Sequence, residues 1–148
     1  MSLDIREFTA EDYDSALALW KRCEGIGLSD ADSPCAIKKL LARNPGMSFV
    51  AILDGKLIGT SLCGHDGRRG FLYHVAVDPE QRKSGLGRQL AETSLKVLQA
   101  EGIQKCHIMV FHTNEEGKAF WQKTGWIPRP DIDVLSYNID KGDSQSTC

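Results

Sequence analysis

FLYHVAVDPEQRKSGLGRQLAETSLKVLQA, Phe71 to Ala100, reads in one pass as strand, basic turn and helix. Phe71 to Val77 is a run of apolar and aromatic side chains of strand length. Asp78-Pro79 ends it, because proline has no N–H to give to a ladder. Arg82-Lys83-Ser84-Gly85-Leu86-Gly87 follows as a short cationic loop. From Leu86 the apolar positions take helical spacing through Leu90 and Val97, with Ala91, Leu95 and Leu98 widening the stripe. A helix N-terminus presents unpaired N–H groups and partial positive charge. Glycine at 85 and 87 removes β-carbons from beside those N–H groups, and Arg82, Lys83 and Arg88 add full charges. The order therefore predicts a phosphate site, in particular one for a pyrophosphate. Generic turn chemistry, with the glycines present for geometry alone, is the competing reading.

Two common phosphate loops do not fit. A P-loop needs Gly-Lys-Ser/Thr where this chain has Gly87-Arg88-Gln89, and the dinucleotide fingerprint needs a small residue where this chain has Leu90. The pattern that fits is Arg82-x-x-Gly85-x-Gly87 after Val75-Ala76-Val77-Asp78-Pro79. It resembles the acetyl-CoA motif of the GNAT N-acetyltransferase superfamily.

Composition sets the frame. The chain has 148 residues, 41% hydrophobic and 26% charged, with a net charge of −2. That suits one soluble domain, placed at residues 1–140, with a polar tail from 141 to 148 expected to lack order. The charge argues against nucleic acid as a partner. No apolar run reaches membrane-span length, and no signal-peptide pattern opens the chain. The five cysteines are odd in number and form no Cys-x-x-Cys pair, which reads as reduced thiols of a cytoplasmic protein without a metal site.

The rest of the chain extends the pattern. Leu3 to Ile5 suggests a first strand, then Thr9 caps a helix carrying Ala16, Leu17, Leu19 and Trp20. Gly25 to Asp32 reads as a loop, and Ser33-Pro34 opens a second helix. Ser48–Leu53 and Leu57–Cys63 are strands joined at Asp54-Gly55, a two-residue hairpin signal. Ile103–Phe111 is a strand, Asn114–Thr124 a helix, and Trp126–Pro128 and Val134–Ile139 are two closing strands. The order βααβββαβαββ argues for an α/β (α+β) fold with a mixed, mostly antiparallel sheet and helices on both faces.

That order also resembles the GNAT fold over roughly residues 3–139. A second motif, Asn114 through Phe120-Trp121 to Gly125-Trp126, is similar to the family's Asn…Phe/Leu-Tyr…Gly-Phe/Tyr signature. Within the superfamily the chain is most similar to small YpeA-type bacterial acetyltransferases, notably over Leu17-Trp20-Arg22-Cys23 and Gly64-Asp66-Gly67-Arg69-Gly70. The resemblance implies acetyl-CoA as donor and a primary amine, on a small molecule or a protein, as acceptor, with no metal. It implies that the backbone of Val75 and Val77 pairs with pantetheine and the acetyl carbonyl. The backbone of Arg82, Lys83, Ser84, Gly85, Leu86 and Gly87 takes the pyrophosphate, and the Asn114 amide bonds the pantetheine. It also implies a homodimer through the last strands.

The acid–base residues are less defined. Where many relatives place a tyrosine that protonates the departing thiolate, this chain has Trp121, whose indole does not give up its proton at neutral pH. Trp121 is left to line the CoA channel or to pack with Trp126. Where some relatives have a glutamate stands Phe71. Strand alternation puts Tyr73 on the side of Phe71 and Val75, where it either orders a water near the amine or packs as an aromatic with its hydroxyl satisfied, and puts His74 on the other side as a structural residue. His112, close to Asn114, is the better titrating group. Glu24, Asp30 and Asp32 either attract a cationic acceptor or are ordinary solvated loop residues. A non-catalytic acyl-CoA-binding domain and a plain phosphate-binding module stay open beside direct acetyl transfer.

Overall fold

The structure, a computed structural model, describes residues 2–140. The expected tail from 141 to 148 lies outside the described residues. Five strands form one sheet in chain order: β1 (Leu3–Glu7), β2 (Phe49–Leu53), β3 (Lys56–His65), β4 (Gly70–Val77) and β5 (Cys106–Ile108). Neighbours from β1 to β4 run antiparallel, and β5 lies parallel to β4. The parallel pair needs a crossover, which α3 (Leu86–Ala100) supplies. The other helices are α1 (Tyr13–Arg22), α2 (Pro34–Arg43) and α4 (Glu115–Lys123). No helix among the described residues is long and apolar enough to cross a membrane.

Local chemistry explains most boundaries. Asp54 and Gly55 both take positive φ, 49° and 82°, the conformation that suits the twist of a two-residue hairpin. The Asp12 carboxylate accepts the Thr9 N–H at 2.9 Å and is clamped by both terminal nitrogens of Arg6 at 2.8 Å each, so the turn leading into α1 is fixed to β1. Ser33 Oγ accepts from the Ala36 N–H, with Pro34 in the first turn of α2.

The core has a layer on each side of the sheet. Phe8, Ala16, Leu19, Trp20, Ile37, Leu62 and Ala76 pack α1 and α2 onto one face. On the other, Leu72, Cys63, Ala91, Leu98 and Trp121 form one cluster and Ala51, Ile58, Val77, Leu86 and Leu90 another. Helices on both faces of a mostly antiparallel sheet are the expected fold class.

Two expectations fail. The segments 126–128 and 134–139 form no strand; Ile127 is 80% exposed, Leu135 89% and Ile139 92%. Their apolar pattern is strand-like, but a strand needs a ladder partner, and none of the described strands pairs with them. The strand expected over Ile103–Phe111 is cut to Cys106–Ile108. Its shortness follows from a bulge in β4. Thr60 pairs with Ala76 and Leu62 with Tyr73, so His74 and Val75 together oppose one residue of β3. A bulge bends its strand and ends regular pairing.

Candidate active site

The bulge sets the geometry of everything around it. β4 and β5 pair only at Gly70–Cys106, Phe71–His107 and Leu72–Ile108; beyond Leu72 the two chains part. The extra residue reverses the alternation. Tyr73 packs with the α1–α2 core and stacks on Phe71 at 6.3 Å, as strand period requires. Val75 instead packs with the α3–α4 cluster, so it does not share a face with Tyr73 as expected. His74 is corrected in the opposite sense: its ring lies 4.7 Å from Trp20 in the α1–α2 core, on the face of Tyr73.

His74 has φ of +45°, in the left-handed region that a non-glycine residue rarely takes. Its carbonyl is caught by Thr60 Oγ at 2.7 Å, and that hydroxyl accepts from Trp20 Nε1 at 2.9 Å. Its Nε2 lies 2.6 Å from Asp32 Oδ1. Asp32 is therefore no solvated loop residue; its side chain is 10% exposed, while Glu24 and Asp30 are open to solvent. The other Asp32 oxygen accepts the Ser29 N–H at 2.9 Å. That Ser29-x-x-Asp32 capping pattern was the signal in the sequence that set Asp32 apart from its acidic neighbours.

At the end of β4, Asp78 is buried and organises the turn. Its Oδ1 accepts the Glu80 N–H at 3.0 Å and its Oδ2 meets Arg22 at 3.0 Å. The Arg22 hydrogen bond, joined by the Glu80 N–H, holds the Asp78 carboxyl below the usual carboxylate range. The loop from Arg82 to Gly85 is exposed. Gly85 caps α3 with φ of +81°, and the first bond of the helix runs from the Gln89 N–H to the Gly85 carbonyl. The N–H groups of Leu86, Gly87 and Arg88 precede that bond and have no partner within the helix.

Gly87 serves a different purpose from the one expected. A β-carbon there would lie 3.4 Å from Phe120 and 3.5 Å from Val77, inside the fold rather than toward an incoming anion. The Val77 carbonyl already accepts from Arg82 Nε at 3.3 Å and from Cys23 Sγ at 3.6 Å.

Across the gap, Asn114 caps α4 by accepting the Gly117 N–H at 2.9 Å through Oδ1. Its Nδ2 faces Gly25 of the α1–α2 loop. His112 is exposed. Trp121 is 8% exposed and lies edge-on to Phe120 and Trp126 at 4.8 and 5.1 Å; it is part of the core, not an open channel wall. Burial pushes the Cys63 thiol up to about 12 and Cys106 up to about 11, which removes both as thiolate nucleophiles. Cys23, Cys63 and Cys106 are free thiols.

A family model described as the acetyltransferase (GNAT) family matches residues 8–126. The chain belongs to this acetyltransferase family. An acetyltransferase of Pectobacterium atrosepticum is 31% identical over 121 residues, covering 82% of this chain and 85% of its own length. One from Sodalis glossinidius is 30% identical over 137 residues, covering 93% and 96%. Among solved structures, a PaiA N-acetyltransferase of Thermoplasma acidophilum in complex with coenzyme A shares the fold. Its TM-score is 0.78 at 21% identity, over 90% of this chain and 94% of that one. Acetyl-CoA is the donor of this family's reaction, and the chain is an acetyl-CoA-dependent N-acetyltransferase.

Proposed function

We propose that acetyl-CoA lies across the gap between β4 and β5, and that a primary amine attacks its thioester directly in a ternary complex. The observation that carries this is the junction of β4 with α3. A Gly85-capped helix start, with its free N–H groups, follows the unpaired end of β4 by a single turn. A diphosphate on the amides of residues 82–87, flanked by Arg82 and Lys83, sets the pantetheine arm running toward Val75. The backbone contact with the acetyl group falls first to Val75, which the β4 bulge takes out of regular pairing with β3. A backbone donor aimed at the acetyl oxygen strengthens as charge builds in the tetrahedral intermediate. Asn114 offers its Nδ2 to the pantetheine while Oδ1 keeps its capping bond.

Burial raises the Tyr73 phenol above its ordinary range, so it stays neutral and orders a water on the acceptor side. The fold places no tyrosine at 121, and holding the two reactants together supplies most of the acceleration.

The acceptor enters from the α1–α2 side, over the Gly25–Asp32 loop. Acetyl-CoA should raise the melting temperature, and free thiol should appear when an aminoglycoside, an N-terminal alanine peptide or a diamine is added. Stabilisation without thiol release on every amine would favour a binding domain; no stabilisation would remove the reading altogether.

A second copy completes the sheet. Val134, Leu135, Tyr137 and Ile139 are 70–92% exposed, as are Met109 and Phe111 beside β5 at 62% and 57%. Together they give a docking edge for the same edge of another chain. Light scattering at increasing concentration should show a dimer, and Leu135→Asp should shift it to monomer.

A further inference from the structure

We infer that the His74 imidazole is the general base that removes the amine proton, with Asp32 as its positioning residue. The inference rests on the acetyl-CoA reading above and adds the group that reading lacks.

Geometry comes first. An ionised carboxylate only accepts, so the 2.6 Å contact with Asp32 Oδ1 places the ring proton on Nε2 and leaves the lone pair on Nδ1. The carboxylate cannot swing away, since its second oxygen holds the Ser29 N–H. The Asp32 backbone is held in turn, its carbonyl accepting from the Tyr13 hydroxyl at 2.5 Å. Trp20 lies against the ring, and Thr60 fixes the His74 carbonyl. Among the described residues, Trp20 from α1 and Asp32 from the turn before α2 lie against the ring, and Asp32 is the charged one. The His74 side chain is 15% exposed, neither sealed nor open to bulk water.

Position points the same way. His74 stands two residues past the last β4–β5 pair and immediately before Val75. It faces α1 and α2, on the opposite side of the sheet from α3, so the base and the diphosphate site lie on different faces. A left-handed residue in mid-strand is a strained conformation. A contact needed only to fasten the turn before α2 would not require that conformation.

The step balances without a further reactant. The neutral amine nitrogen bonds to the acetyl carbon while His74 Nδ1 takes one of its protons. The carbon–sulfur bond then breaks, the coenzyme A thiolate leaves, and the imidazolium returns the proton to sulfur. Asp32 stabilises the imidazolium in between.

The test compares His74→Gln and Asp32→Asn with the unaltered protein, by acetyl-CoA thermal shift and by thiol release over the same amine panel and pH range. His74→Gln should keep the acetyl-CoA shift and lose about a hundredfold or more in kcat. Asp32→Asn retains an acceptor for Ser29 but presents an amide N–H to Nε2, forcing the other tautomer. It should lower kcat about tenfold or more and leave the acceptor KM within about twofold, with Asp32→Glu restoring part of the loss; a merely structural residue would not give that split. His74→Gln turning over within about threefold of the unaltered protein would overturn the inference. So would Asp32→Asn with an unchanged kcat, should His74→Gln not fold. Failure of the unaltered protein to release thiol on any amine would sink the transfer reading itself, before either variant is compared.

Discussion

Gly25 lies directly under the Asn114 amide: a β-carbon on Gly25 would sit 2.6 Å from Nδ2. Gly27, two residues on, stands likewise against the Phe111 ring, at 2.5 Å. The α1–α2 loop and the β5–α4 loop thus meet over the gap where β4 and β5 part. The two contacts differ in what can yield. Gly25 has φ of +88° and presses on a side chain held by its own capping bond, whereas Gly27 lacks the positive φ and meets the tip of an exposed ring. Gly25→Ala should therefore cost about 1–2 kcal/mol from backbone conformation alone. It should also weaken acetyl-CoA binding by displacing Asn114. Gly27→Ala should leave both nearly unchanged. Calorimetric melting and acetyl-CoA titration of the two variants check the contrast; equal effects would mean that Asn114 takes no part in binding.

The start of α3 makes a similar distinction between its two glycines. A side chain at Gly85 meets nothing within 4 Å, so the fold has room for it, but φ of +81° and the adjacent free N–H groups do not. Gly85→Val should lower acetyl-CoA affinity roughly tenfold or more, about 1.4 kcal/mol. Gly87→Ala places its methyl between Phe120 and Val77 at ordinary contact distance, so affinity should hold within about twofold. Isothermal titration with coenzyme A separates them. If both variants bind as tightly as the original, the anion notch is not where the diphosphate rests.

The β4–α3 turn is legible in the sequence and the place of His74 is not, for a physical reason. Helix stripes, caps and the Asp54-Gly55 turn are local, set by residues a few positions apart, and each appears where the pattern put it. The β4 bulge is not local. It lies where Thr60, itself held by the distant Trp20, donates to the His74 carbonyl, and strand period assumes that no such residue is inserted. One inserted residue moved Val75 to the face opposite Tyr73 and brought His74 to Asp32. The closing strands failed for the complementary reason: their alternation is real, but pairing partners cannot be counted from one segment alone.

Acid should weaken the fold through Asp78. Its carboxyl is held low chiefly by the hydrogen bond from Arg22 and next by the Glu80 N–H, and Asp12 is held low in the same way, chiefly by Arg6. A carboxyl held lower in the folded state contributes stability that is fully present above its unfolded value, about 3.9, and is lost as pH falls through the folded value. Melting temperature should thus be flat from neutral pH down to about 5 and fall steeply below about 4. Asp78→Asn should melt lower at neutral pH, by about 1–3 kcal/mol, and show a shallower acid dependence. Arg22 is 44% exposed, so added salt should reduce part of this difference but not the part due to the Glu80 N–H. An Asp78→Asn protein with an unchanged acid profile would place the titrating group elsewhere.

Trp121 occupies the position where a tyrosine acid is expected, and its surroundings say that it carries packing rather than proton transfer. It is buried against Phe120 and Trp126 and joins the cluster of Leu72, Ala91 and Leu98 that seats α3 and α4 on the sheet. Trp121→Phe removes ring volume from that cluster and should lower stability by roughly 1–3 kcal/mol. The indole N–H donates no proton at neutral pH, so its loss removes no acid, and kcat measured well below the melting transition should stay within about twofold. Phenylalanine keeps an edge-on ring for Trp126, so the α4 cap at Asn114 and the acetyl-CoA affinity should persist as well. A fall in kcat of about a hundredfold with little change in melting would instead put the indole beside the reacting sulfur.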